Sequence, residues 1–145
     1  MGREMLHAVD VNAVREAVYE AISTHEGLTS FWTPDVDAEP AVGSVARFGF
    51  EKAPMDLRMR IDALEPGRSV VWTCLGDFPY WNDTHVEWRI EPSPEGAGTR
   101  VTFGHTGWPE DQPEAEYALV NFTWGQIVAR LREYLESGRR EPYLH

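Results

Sequence analysis

The sequence predicts an α+β fold, an antiparallel sheet with one long helix lying on it. Three observations carry this reading. Between residues 36 and 105 apolar and polar side chains alternate with a period of two, interrupted by turn signals. The closing segment instead repeats every 3.6 residues, placing Val120, Trp124, Ile127, Val128, Leu131 and Leu135 on one helix face. Neither that stripe nor the dry face of the sheet can stay in water, so the helix must lie against the sheet.

Met5–Val11 reads as a strand, with Leu6, Ala8 and Asp10 on one face and His7, Val9 and Val11 on the other. Asn12 is placed to cap the next helix, because its side-chain oxygen can accept a free first-turn N–H. Val14, Val18, Ala21 and Ile22 share one face of that helix. A second short helix covers Thr24–Trp32; Gly27 weakens its start and Pro34 ends it. Strands are expected near 36–39, 44–51, 56–65, 69–76, 84–92 and 99–106, separated by Pro- and Gly-containing turns.

Two of these strands alternate most clearly. Val86, Trp88 and Ile90 oppose His85, Glu87 and Arg89; Leu57, Met59 and Ile61 oppose Arg58, Arg60 and Asp62. One wet and one dry face is the antiparallel signature. Asp111 followed by Glu114 reads as a capping box for the last helix, with Gly138 as its left-handed end. Gly125, inside that helix, costs roughly 1 kcal/mol relative to Ala. It reads as a point where sheet or ring comes close to the backbone. The order is β-α-α-β6-α, in one domain over residues 1–145.

Composition narrows the function. A net charge of −11 argues against nucleic acid and against an anionic membrane surface. Arg139-Arg140 sits where it would complement a helix C-terminus. Cys74 is the lone cysteine, so no intrachain disulfide forms; inside an apolar strand it is expected to be inert. There is no signal-peptide pattern and no apolar run long enough to span a bilayer, which predicts a cytoplasmic protein. The five histidines lack metal-ligand spacing, no nucleotide or hydrolase motif occurs, and no cofactor is implied. Asp83, His85 and Glu87 read as exposed charge on the wet face, and Asp35, Asp37 and Glu39 as a solvated edge.

Six tryptophans in 145 residues is a high content. The assigned strand parity points Phe50, Met59, Trp72, Trp88 and Phe103 inward, facing Trp124 on the helix. Such a stripe fits either core packing or a partly open ligand cavity. Trp32, Trp81 and Trp108 fall beside loops, where each caps the core or, for Trp108 between Gly107 and Pro109, could rim a cavity mouth. The same parity turns His105 inward. It could orient a ligand carbonyl or act as a general acid or base, or else be a buried, hydrogen-bonded core histidine. Asn121, one turn before Trp124, could add a donor and an acceptor or simply face solvent.

The chain resembles the START-like (SRPBCC) superfamily and, within it, the AHSA1-like family of Hsp90-ATPase-activator homologues. The resemblance rests on Val18-Tyr19-Glu20-Ala21-Ile22, Glu26-Gly27-Leu28 through Phe31-Trp32, His105-Thr106-Gly107-Trp108, and Trp124-Gly125-Gln126-Ile127 through Leu131-Arg132-Glu133-Tyr134-Leu135. It implies a helix-grip (START/Bet v 1-like) fold, a curved sheet wrapped around the C-terminal helix with a cavity between them. It implies binding of an apolar or aromatic small molecule without catalysis. Trp32, Phe50, Met59, Trp72 and Trp88 are then candidate ligand contacts, with Phe103, His105, Trp108, Asn121 and Trp124. Two alternatives accompany it: a polyketide cyclase/aromatase-like enzyme in the same cavity, and a chaperone-ATPase regulator. The chain has no room for the co-chaperone's additional N-terminal domain, which argues against a chaperone partner. A homodimer through a sheet edge or the wet face is compatible with the sequence.

Overall fold

The computed structural model describes residues 3–144. Strand β1 (Met5–Val11) leads into helices α1 (Arg15–Ser23) and α2 (His25–Phe31). Strands β2 (Asp35–Asp37), β3 (Val45–Gly49), β4 (Leu57–Glu65), β5 (Ser69–Cys74), β6 (His85–Pro92) and β7 (Thr99–Thr106) follow, and helix α3 (Glu114–Ser137) ends the fold. The expected order holds. The strands form one antiparallel sheet in the order β1-β7-β6-β5-β4-β3-β2, so the first strand closes against the last.

Strand parity follows the alternation. Val86, Trp88 and Ile90 on β6, with Val101, Phe103 and His105 on β7, are buried on one face. Leu57, Met59 and Ile61 share that face until a bulge between Ile61 and Ala63 shifts the register of β4 against β5. Helix α3 covers it with Trp124, Ile127, Val128 and Leu131, while Val120 and Leu135 are half-buried at the stripe's ends.

The helix starts differ from expectation. Helix α1 begins at Arg15 after Val14, which is exposed instead of joining the core. Asn12 is not its cap; the Asn12 N–H donates to Glu136 Oε2 at 3.0 Å, tying β1 to the end of α3. Helix α3 starts at Glu114, preceded by Pro113, and has no side-chain cap, so Asp111 closes no capping box. Proline pre-sets the backbone there and has no N–H to satisfy. Gly138 does end α3 in the left-handed region, at φ 76°. Arg139 pairs with Glu133 and Glu141, and Arg140 with Glu26, so both answer carboxylates more than the helix terminus.

Two glycines have steric reasons. A Cβ on Gly27 would fall inside the backbone of Ala21, so the close backbone approach of α1 and α2 at this point requires glycine. Thr24 compensates for the weak start of α2 by accepting the Gly27 N–H at 3.0 Å. A Cβ on Gly125 would sit 3.2 Å from His7 Cε1, so the close neighbour expected at this position is the β1 imidazole.

Candidate functional site

Most of the space between sheet and α3 is filled by rings. Trp32 stacks on Phe48 at 4.3 Å between centroids and lies 5.1 Å from Trp124. Phe103 packs 4.4 Å from Trp124 and edge-on to Trp88 at 4.8 Å. Offset and edge-to-face contacts of this kind stabilise beyond the area they bury. Met59, Trp72, Trp88 and Phe103 therefore belong to a solid core, not to a cavity running the length of the helix.

An apolar groove of about 260 Å³ opens at one end of the sheet. One wall is the α3 flank of Glu116, Leu119, Val120, Thr123 and Ile127. The opposite wall is Phe50 and Leu57 with Phe78, Pro79 and Trp81 from the β5–β6 loop, and Trp32 and Trp124 also line it. Leu144 completes the enclosure.

Specific backbone bonds place these walls. The β5–β6 loop turns through left-handed Asp77, Tyr80 and Asp83, a conformation costing about 1–3 kcal/mol at each non-glycine residue. It is held because Asp77 accepts from the Arg58 backbone N–H at 3.1 Å and pairs with its guanidinium. The tail after α3 donates the N–H groups of Glu141, Tyr143 and Leu144 to the carbonyls of Ser30, Phe31 and Trp32. Those carbonyls end α2 and would otherwise lack partners. Leu144 is thus carried to the groove by the need to finish another helix.

His105 is fully buried behind this loop. The Trp124 indole N–H donates to its Nδ1 at 3.0 Å. On the other side Nε2 lies 2.8 Å from Thr84 Oγ1, whose single proton goes to the Trp81 carbonyl at 2.7 Å. An indole N–H only donates, so Nδ1 is the acceptor and Nε2 carries the proton. Burial, reinforced by the charge of nearby His85, pushes the His105 pKa down to about 3. The imidazole is neutral, with both nitrogens committed, and links α3 through Thr84 to the loop bearing Trp81. It is a core histidine that fixes a groove wall, with no nitrogen free for a ligand or a proton transfer. Burial likewise pushes the Cys74 thiol up to about 12, leaving it protonated and unreactive.

The structure thus brings Trp32, Phe50 and Trp124 together at the groove. Trp108 is buried against His105, 4.2 Å between centroids, and caps the core, the first of its two expected roles, without rimming a mouth. Asn121 faces the other flank of α3, where the His7 Nε2–H donates to its Oδ1 at 2.9 Å. Sequence reasoning missed Leu57, Phe78, Pro79 and Leu144. The cluster Phe78-Pro79-Tyr80-Trp81 in a loop between two strands was the available signal. Nothing local to Leu144 announces its place.

No group of three His, Cys, Asp or Glu side chains among the described residues is arranged to hold a metal. No helix among them is long and apolar enough to cross a membrane. On the outer sheet face Thr73 donates to Asp62, and His85 Nδ1 lies 3.1 Å from Thr73 Oγ1.

The fold has solved counterparts. The chain is similar to the Aha1 dimer from Colwellia psychrerythraea, with 28% identity over 94% of this chain and 98% of that one, at a TM-score of 0.84. A protein from Staphylococcus saprophyticus matches at 21% identity over 96% of both chains, TM-score 0.77. DynU16, of the dynemicin biosynthetic locus, matches at 23% identity over 99% of this chain and 51% of its own, TM-score 0.80. No curated protein matches the sequence. The model of the activator of Hsp90 ATPase homolog 1-like family matches residues 12–136, and the chain belongs to that family.

Proposed function

We propose that this protein binds a small, planar, largely apolar molecule in the groove between α3 and the β5–β6 loop, without transforming it. The observation that carries the reading is the groove's composition, in which aromatic and aliphatic side chains from six separate segments converge on one opening. Its size of about 260 Å³ suits a compact fused-ring compound better than a lipid chain. Glu116 at the rim and the net charge of −11 disfavour an anion.

A cyclase-like reaction in the same place has less support. Enolising and protonating a bound chain needs titratable groups that converge on it. Glu116 is the one such group among the lining residues, and His105 is spent on Trp124 and Thr84. Self-association is a second, independent reading, favoured by the dimeric state of the Colwellia relative.

The test is titration with the neutral fluorophore N-phenylnaphthylamine. Saturable enhancement of its emission is expected for the wild type, and its loss in Val120→Trp, which fills the groove from α3. Equal enhancement by both proteins, or none by the wild type, contradicts the reading.

A further inference from the structure

We infer that the outward face of α3 is the contact surface for a second copy of this chain, packed antiparallel about a twofold axis near Phe122 and Thr123. The starting observation is an interruption of charge. A quarter of the residues (26%) are charged, yet α3 carries none from Tyr117 to Ala129. The inner side of that stretch is core, but its outer side is not. Leu119 and Phe122 are 67% and 65% exposed, and Ala115, Ala118 and Ala129 are exposed around them. A solvated helix face in an acidic protein would be expected to be charged.

Charge at the two ends of this patch says what covers it. Glu114 is exposed before it and Arg132 exposed after it, and neither has an ion pair among the described residues. Positions 114 and 132 are equidistant from residue 123. An antiparallel second copy therefore sets Glu114 against Arg132 of the partner subunit, twice, with the two Phe122 rings meeting near the axis. A twofold contact must be self-complementary in this way. Small residues flanking Phe122 let the two helices approach closely, and the aromatic ring supplies a central anchor.

Other surfaces are less suited. The outer sheet face carries Arg58, Arg60, Glu87 and Arg89. The β2 edge carries Asp35 and Asp37 clamped on Arg47. Beside β1, the Tyr117 hydroxyl donates to the Glu4 carbonyl at 2.8 Å, and Glu136 takes the Asn12 N–H, so α3 already engages both ends of that strand.

The test is sedimentation equilibrium across a micromolar concentration series, with circular dichroism to confirm folding. The wild type should approach twice the monomer mass of 16.5 kDa. Phe122→Glu should raise the dissociation constant by about tenfold or more, as expected for a central aromatic anchor. Phe122 does not line the groove, although Leu119 and Thr123 border both surfaces, so N-phenylnaphthylamine titrated at a protein concentration where the wild type is monomeric should bind Phe122→Glu as it binds the wild type, which separates this inference from the ligand reading. Glu114→Arg and Arg132→Glu should each weaken the dimer, and the double reversal should restore it. A wild type that stays monomeric throughout overturns the inference and leaves the face to a different partner. A dimer indifferent to Phe122→Glu overturns it as well and places the contact elsewhere.

Discussion

Acidification tests the internal logic of the site through His105. Its imidazole is neutral in the folded protein, with a pKa pushed down to about 3 by burial, against 6.5 for an unperturbed histidine. Between these values the unfolded chain binds a proton that the folded chain refuses. Stability therefore falls as pH drops through 6.5, and the loss is complete only near 3. Integrating between pH 7 and pH 5 gives a loss of roughly 2 kcal/mol from this residue alone. Asp10 and Asp35 contribute with the same sign but at lower pH. Hydrogen bonds from Arg100 and Arg47 hold their carboxyls below the ordinary range, so their stabilisation is lost only as the medium approaches that range. The assay is urea denaturation of wild type and His105→Gln at both pH values. The variant should be less stable at pH 7, because the Trp124 N–H and Thr84 hydroxyl lose a well-placed partner. The difference between the two proteins should shrink by about 2 kcal/mol at pH 5. A variant with the full pH slope of the wild type would refute the assignment of a buried neutral imidazole.

Two further substitutions probe the supports of the groove. Gly27→Ala forces a methyl into the Ala21 backbone, where no flexible side chain can give way; a loss of about 3 kcal/mol is expected by denaturation. Trp124→Phe keeps a ring in the core but removes the donor to His105 Nδ1. It should cost about 1–3 kcal/mol for the stranded acceptor, and proton exchange at the His105 Nε2–H, seen by NMR, should quicken.

The fold was readable in the sequence because its main signals are periodic. The alternation of Val86, Trp88 and Ile90 and the spacing of Trp124, Ile127, Val128 and Leu131 fix faces wherever one side is dry. Helix starts were less legible. Asn12 and Asp111 have cap-forming side chains, yet the helices begin at Arg15 and Glu114: Asn12 lies two residues before the Val14 N-cap, held to the end of α3 through its N–H, and Pro113 set the backbone of α3. The candidate site divided along the same line. Parity placed Trp72, Trp88, Phe103 and His105 inward correctly, but inward-facing did not mean ligand-facing, since the rings fill the space they point into. What remains open is set by a left-handed loop and by a tail that finishes α2, and neither carries a periodic signal. The role of His105 turned on pairing through Thr84 and Trp124, residues 21 and 19 positions away.

The most direct measurement is a two-dimensional ¹H–¹⁵N spectrum of the six indole N–H groups during titration with N-phenylnaphthylamine. Ligand in the groove should shift the Trp32, Trp81 and Trp124 signals, which line it, and leave those of Trp72 and Trp88 in place. Unmoved Trp32 and Trp81 signals at saturating probe would contradict the account, as would equal shifts spread over all six.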